Sequence, residues 1–380
     1  MNSPPVNRLP EGVNSAPLNG PDNALGLIPQ NLPERDVNGA LATAAIKVAL
    51  EQATRSVSTA RALLPGTEVT GAATDALLGA AIQSVPRWHF AMLNDLERND
   101  AFAVALERVV PRGSHVLDIG SGTGLLAMMA AKAGAGAVTT CEQNPVLAAV
   151  AERIIAQHGL SDVITVVPKL STDLVVGVDL PGRADVIVSE IVDCGLVGEG
   201  VLPTVRHARE HLLAPGGVLL PESAVLFGAL LDSPTVDGLN RVHSAAGLDV
   251  RLLNALATRG HFPVRLPTWP HRLLSAPTEI AEFDFAHGAL EREAVEVAFD
   301  VAEPGVAHGL AVWFELRLGG GIALRNAPDN LASHWMQAFV PFAEPVRHAA
   351  GERVRIDFCW TGGRLSARQL DFANAVEGIS

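Results

Sequence analysis

The stretch that most restricts what this chain can fold into is Ser114 to Ile119, a short strand-like run that ends in Asp118-Ile119-Gly120-Ser121-Gly122-Thr123-Gly124. A strand that stops at alternating glycines must turn sharply, through backbone conformations that residues bearing a Cβ rarely adopt. The pattern then repeats. A helix-like segment, Leu125 to Ala133, leads to a strand, Ala137 to Cys141, closed by Glu142; a helix, Val146 to Gln157, leads to a strand, Val163 to Val167. Ala184 to Val188 reads as a fourth strand, Val201 to Leu213 as a helix and Val218 to Leu220 as a fifth strand. Strands separated by helices at this spacing are joined by crossovers, which makes the sheet parallel and the domain α/β, doubly wound and Rossmann-like.

After Pro221 the period changes. Short alternating runs, Ala224 to Leu230, Val295 to Phe299, Ala311 to Leu318, Trp335 to Phe342 and Val354 to Trp360, are separated by Gly and Pro, as in an antiparallel β-barrel or sandwich. A partly helical insertion, Asp232 to Thr268, interrupts it. Upstream, residues 1–36 are rich in Pro, Asn and Gly and read as a disordered or extended arm. Helix-favouring segments from Asn38 to about Leu64 and from Thr70 to Ile82 form an N-terminal helical extension over 37–84. The expected division is thus 1–36, 37–84, a nucleotide-type domain over 85–220 and a β domain over 221–380. A helical run from Val85 to Val110 opens the third part and stacks Met92, Asp95 and Arg98 at successive three-residue steps.

Composition excludes several classes. A formal charge of −13 speaks against nonspecific nucleic-acid binding, which needs a basic surface, and suits a cationic small molecule or a basic peptide. No apolar run reaches the ~18 residues of a membrane span, and the N-terminus lacks the basic-then-apolar pattern of a secretory signal. Three widely spaced cysteines, Cys141, Cys194 and Cys359, argue against both a disulfide framework and a zinc site. The expectation is a cytoplasmic protein with no metal, no membrane and no nucleic acid.

The glycine turn alone is shared by dehydrogenases and methyltransferases. Asp118 stands just before the glycines, and no further glycine has the spacing that packs a dinucleotide pyrophosphate against the helix. Glu142 closes the second strand, where a carboxylate can accept both ribose hydroxyls. The turn therefore favours S-adenosyl-L-methionine, with Asp118, Gly120, Gly122, Gly124 and Glu142 around it, Arg98 on its carboxylate, and the segment at Ser171 and Thr172 near its adenine.

Ser189-Glu190-Ile191-Val192-Asp193-Cys194-Gly195-Leu196-Val197-Gly198-Glu199-Gly200 follows the fourth strand. Two glutamates nine positions apart, with glycines that let the backbone turn back, can aim both carboxylates into one pocket. A planar guanidinium fits between them.

With Val116 to Leu126, Glu142, the Glu190–Glu199 loop and Ser333-His334-Trp335, the chain resembles the protein arginine methyltransferase family over roughly residues 85–380. The wording of the loop, with Pro86-Arg87-Trp88-His89-Phe90, is most similar to the diverged branch that holds the type III and one of the type II members. The resemblance implies that Glu190 and Glu199 clamp the substrate guanidinium and that His334 pairs with Asp95 beside the acceptor. It puts Met92 near the sulfonium with His89 nearby. Trp335 either touches substrate or packs in the β domain. Asp193 is read as a third acid of the substrate pocket that limits the product to ω-N-monomethyl-L-arginine, against a reading in which it faces solvent or caps the following turn.

Animal members of this branch carry two tandem modules, and one module here implies a homodimer. Its arm would be supplied by the Asp232–Thr268 insertion or by the N-terminal helices. The acceptor is read as free L-arginine in specialised, nitrosourea-type biosynthesis. A protein or peptide arginine is the alternative, and a catalytically silent S-adenosylmethionine-binding partner protein is the third reading.

Overall fold

The structure, a computed structural model, describes residues 82–370. The arm expected over 1–36 and all but the last residues of the extension expected over 37–84 lie outside the described residues.

Two helices, Trp88–Leu93 and Leu96–Val109, lead into the first sheet. The single run expected from Val85 to Val110 is broken because Asp95 leaves helical geometry and caps the second helix, its side chain accepting the Arg98 amide. Met92, Asp95 and Arg98 therefore do not share one helix face. The parallel sheet consists of β1 (His115–Ile119), β2 (Ala137–Cys141), β3 (Ile164–Val167), β4 (Ala184–Ser189) and β5 (Leu213–Leu220), in spatial order β3-β2-β1-β4-β5. Helices Leu125–Ala133, Pro145–Gln157 and Val201–His207 make the crossovers. Local chemistry sets their ends. Gly134 stops the first with φ +110°, and Asn144 caps the second with Pro145 at its first position.

Two boundaries differ from the sequence reading. The helix expected to reach Leu213 ends as a π-helical turn over Ala208–Leu212. β5 starts at Leu213 rather than Val218, because Ala184 pairs with Leu213 and Val186 with Val218, so Ala214 to Gly217 bulge out and hide the strand's beginning. The order reverses at β1, which lies between β2 and β4, and a ligand crevice is expected outside the carboxyl ends of the strands there.

Past the cis Leu220–Pro221 peptide, all pairing is antiparallel. β6 (Ser223–Asp232) precedes the insertion, which carries a small hairpin, β7 (Ser244–Ala245) with β8 (Leu248–Asp249), and a 3-10 segment, Arg251–Leu256. Its end, β9 (Phe262–Val264), joins the main sheet as an edge strand, where Pro263 lacks only a solvent-side donor. β10 (Arg272–Leu273), β11 (Thr278–Asp284), β12 (Ala294–Asp300), β13 (Gly305–Gly319), β14 (Ile322–Arg325), β15 (Gln337–His348), β16 (Arg353–Cys359) and β17 (Ser366–Gln369) complete the domain. The larger sheet runs β10-β6-β13-β15-β9, with β11 on β6 and β14 on β13; the smaller runs β12-β16-β17. Ile119, Val188, Leu220, Leu226, Phe314, Val340 and Trp335 belong to one continuous apolar core. The two halves are thus packed together rather than strung on a linker. No helix among the described residues is long and apolar enough to cross a membrane.

Candidate active site

The crevice at the β1/β4 reversal is built by the glycine turn. Gly120, Gly122 and Gly124 have φ of +88°, +52° and +79°, which explains why no larger residue stands there. The amides of Gly120 and Ser121 both donate to the Cys141 carbonyl, fastening the turn to the end of β2. Glu142, buried beside it, accepts the Gly122 amide at 2.9 Å and the Asn144 amide at 2.8 Å, so one carboxylate joins the turn to the next helix start.

Asp118 is fully buried and accepts the Thr140 hydroxyl at 2.8 Å. Burial pushes its carboxyl up to about 7, against the pull of Thr140 and Arg98. Four buried polar atoms lack a partner around this spot: Asp118 Oδ1, Ser121 Oγ, Ser189 Oγ and Arg98 Nε. Buried polar atoms are rarely left so. A ligand carrying an amino and a carboxylate group fits them, as S-adenosylmethionine does.

Arg98 and Glu190 are the tightest pair in the crevice. Arg98 Nη2 donates to Glu190 Oε2 at 2.6 Å, with side chains 3% and 4% exposed. Burial raises the Glu190 carboxyl and Arg98 opposes the rise. Arg98 Nη1 reaches Asn99 at 2.9 Å, and the guanidinium lies over the Phe102 ring. An arginine expected on the cofactor thus also touches a glutamate expected on the substrate.

Glu199 has no hydrogen-bond partner among the described residues. Its concave surroundings, which thin its hydration, and the charges of Glu190 and Asp193 push its carboxyl up to about 8, although the residue is exposed by surface area.

The Asp95–His334 pair forms as expected from the resemblance. His334 Nδ1 lies 2.8 Å from Asp95 Oδ2, and the His334 amide donates to the same oxygen at 2.8 Å. A carboxylate only accepts, so Nδ1 carries the proton and Nε2 keeps its lone pair. Burial, with the charges of Arg98 and Arg265, lowers the His334 pKa against the pull of Asp95, which favours the neutral ring. Burial would raise Asp95, but the Arg98 and His334 amides and the His334 ring more than offset this, and the net shift is downward.

Asp193 and Trp335 are both engaged by the chain itself. Asp193 Oδ1 accepts the amides of Gly195 at 3.2 Å and Gly198 at 2.8 Å, and Oδ2 lies 2.6 Å from His261 Nε2. The carboxylate caps its own loop. Trp335 is buried edge-on against Phe314, and its indole N–H donates to the Val192 carbonyl at 3.1 Å, so it props the loop from behind. His89 is buried, stacks on Trp88 and bonds the Pro86 carbonyl through Nδ1; Met92 is buried one turn on. Ser171, buried, and Thr172, exposed, lie on a one-turn 3-10 helix after β3, with no hydrogen bond to the glycine turn.

Three residues that hold this site carry no motif. Asn326 donates to the carbonyls of Cys194 and Met336, Arg265 to those of Ser333 and His334, and His261 meets Asp193. Each lies in the β domain, distant in sequence from what it supports. Asn144 was legible, since Asn-Pro before an apolar run marks a helix start.

Comparison with known proteins fits this geometry. Residues 224–374 match the family described as "Arginine methyltransferase oligomerization subdomain", and residues 103–207 match "Ribosomal protein L11 methyltransferase (PrmA)". The chain is 58% identical over 287 residues to "Arginine N(omega)-methyltransferase" of Streptomyces achromogenes subsp. streptozoticus, covering 76% of this chain and 80% of that one. It is 34% identical over 300 residues to "Protein arginine N-methyltransferase 7" of Drosophila ananassae, covering 67% of this chain but only 44% of the fly protein. Among solved structures, the Trypanosoma brucei PRMT1 enzyme–prozyme heterotetrameric complex with AdoHcy superposes with a TM-score of 0.64 at 26% identity, covering 73% of this chain and 88% of that one. Arabidopsis thaliana protein arginine methyltransferase 10 shares the fold, with a TM-score of 0.59 at 23% identity and coverage of 71% and 86%. The chain belongs to the S-adenosylmethionine-dependent arginine N-methyltransferase family.

Proposed function

We propose that the protein methylates free L-arginine on a terminal guanidino nitrogen, giving ω-N-monomethyl-L-arginine, and that it works as a cytoplasmic homodimer. The observation that supports the reading is the pair of loop carboxylates, one buried on the Arg98 guanidinium and the other raised to about 8 by desolvation and by the charges of Glu190 and Asp193. The name of the 58%-identical Streptomyces relative, which specifies arginine rather than protein arginine, supports the free amino acid.

Arg98, Asp118, the glycine turn and Glu142 are the residues suited to hold S-adenosylmethionine, which supplies an electrophilic methyl group when bound. The rest is done by the chain's own side chains. A guanidinium is always protonated and a poor nucleophile. Glu190 and Glu199 would grip its fork from two sides, draw charge away from the third nitrogen and fix that nitrogen's direction. Positioning of this kind is worth up to ~7–11 kcal/mol. The product remains a monocation, so the methylated nitrogen gives up one proton. Glu199, made basic by desolvation and by its acidic neighbours, is matched to take it; His334, neutral and held by Asp95, offers its Nε2 lone pair as the second candidate. Asp193 and Trp335 act on the loop rather than on the substrate. They bear on methyl count only through the room the loop leaves.

Incubation with S-adenosylmethionine and either free L-arginine or a Gly-Arg-rich peptide, followed by mass spectrometry, tests the reading. One methyl increment on the free amino acid is expected. Methylation of the peptide alone moves the protein to the acceptor type named in the fly relatives. Methylation of neither leaves a silent S-adenosylmethionine-binding protein.

A further inference from the structure

His261 sits in a place that no sequence motif marks. It precedes β9 at the end of the insertion, its side chain is 6% exposed, and both ring nitrogens are engaged. Nδ1 accepts the Leu365 amide at 3.1 Å, and Nε2 faces Asp193 Oδ2 at 2.6 Å. A backbone N–H can only donate, so Nδ1 must be the bare nitrogen and Nε2 the protonated one. This tautomer decides between two roles for the cluster. The donor atoms of Asp193, Cys194 and His261 lie within 4.8 Å of one another, close enough to suggest a metal ion. An Nε2 that carries a proton has no lone pair for a metal, and it matches an N–H donated to a carboxylate.

Asp193 passes that anchorage into the loop. Its Oδ1 gathers the amides of Gly195 and Gly198, and Gly198 is the residue before Glu199. The fit leaves no slack. A Cβ at Gly195 would lie 2.8 Å from His261 Nε2, and one at Gly198 would lie 2.2 Å from Asp193 Oδ2. The chain from the β domain to the reacting guanidinium is therefore Leu365, His261, Asp193, Gly198, Glu199.

We propose that His261 is a positioning residue for the guanidinium clamp, setting through Asp193 where Glu199 stands and hence how well the acceptor is held. The inference rests on the clamp reading of Glu199, and two independent measurements separate them.

The first measurement needs no activity. In His261→Phe, hydrogen–deuterium exchange of the amides between Gly195 and Glu199 is expected to rise about tenfold or more, because Asp193, which accepts the Gly195 and Gly198 amides, loses its own anchor. In His261→Gln, whose side-chain amide can donate to Asp193, it stays near the parent. The second is steady-state kinetics with whichever acceptor the parent methylates. His261→Phe is expected to lower kcat/KM for the acceptor about 10- to 100-fold, with S-adenosylmethionine affinity unchanged, and His261→Gln to recover most of it.

The proposal is overturned by unchanged exchange in His261→Phe, by an acceptor kcat/KM within about twofold of the parent, or by equal loss of cofactor affinity, which would make His261 a packing residue only. An inactive parent would instead sink the clamp reading. The exchange result would then still decide whether His261 fixes the loop.

Discussion

In the proposed clamp, Glu199 is the side chain that must be charged to hold the acceptor. Held near 8 by thin hydration and by Glu190 and Asp193, its carboxyl is neutral below that pH and gains a charge as pH rises through it. Only the charged form grips a guanidinium. The kcat/KM for the acceptor, which reports free-enzyme groups, should therefore climb about tenfold per pH unit from pH 6 and level off above 8. Glu199→Gln should lack this limb and lose roughly 10- to 100-fold in kcat/KM, the scale of a missing charged hydrogen bond. A pH profile of parent and variant checks both. A flat parent profile would mean that another group carries the clamp.

The loop from Glu190 to Glu199 is the element on which both halves of the molecule act. β4 delivers it, Trp335 holds the Val192 carbonyl, and Asn326 holds that of Cys194. Gly198 is the tightest point, so Gly198→Ala must push Asp193 aside. The expected cost is about 1–3 kcal/mol of stability, as for other overpacked sites. A fall of about tenfold or more in acceptor kcat/KM is expected with it, while cofactor affinity measured by calorimetry stays at the parent value.

Much of this element could be read in the sequence, because the glycines, the two acids and the strand before them are local signals. The glycine turn and Glu142 were legible for the same reason. Residue type alone does not give direction, so the sequence leaves Asp193 and Trp335 open between the substrate and the fold. What engages them is a set of partners, His261 for Asp193 and the Val192 carbonyl for Trp335, whose separation in the chain leaves no periodic trace. β9 escaped notice likewise, being three residues long and containing a proline. The break at Asp95 was hidden inside an otherwise continuous helical pattern.

At the scale of the molecule, the insertion after β6 presents an apolar face to solvent. Leu252 is 92% and Leu256 82% exposed, with Leu248 and Leu253 beside them in the chain and also exposed. Such a cluster is more than the scattered surface leucine of a monomer. It lies in the segment matched by the oligomerization subdomain. For the proposed homodimer, with both Leu252 and Leu256 changed to Glu, analytical ultracentrifugation should show a shift from the dimer of the parent to monomer, each buried leucine being worth roughly 1.5–3 kcal/mol. An unchanged dimer would assign the contact to another surface.

The seam between the two halves carries a further consequence, for how such enzymes can diversify. The acceptor loop grows out of the parallel sheet, yet its backbone is secured by Trp335, Asn326 and His261 from the β domain. A hybrid that joined this nucleotide-binding half to a distant relative's β half would inherit a loop cut for fastenings it no longer had. Descent in this lineage should therefore have kept the halves as a matched pair, and recombination at Pro221 should yield active offspring only when those three anchors travel with the loop they hold.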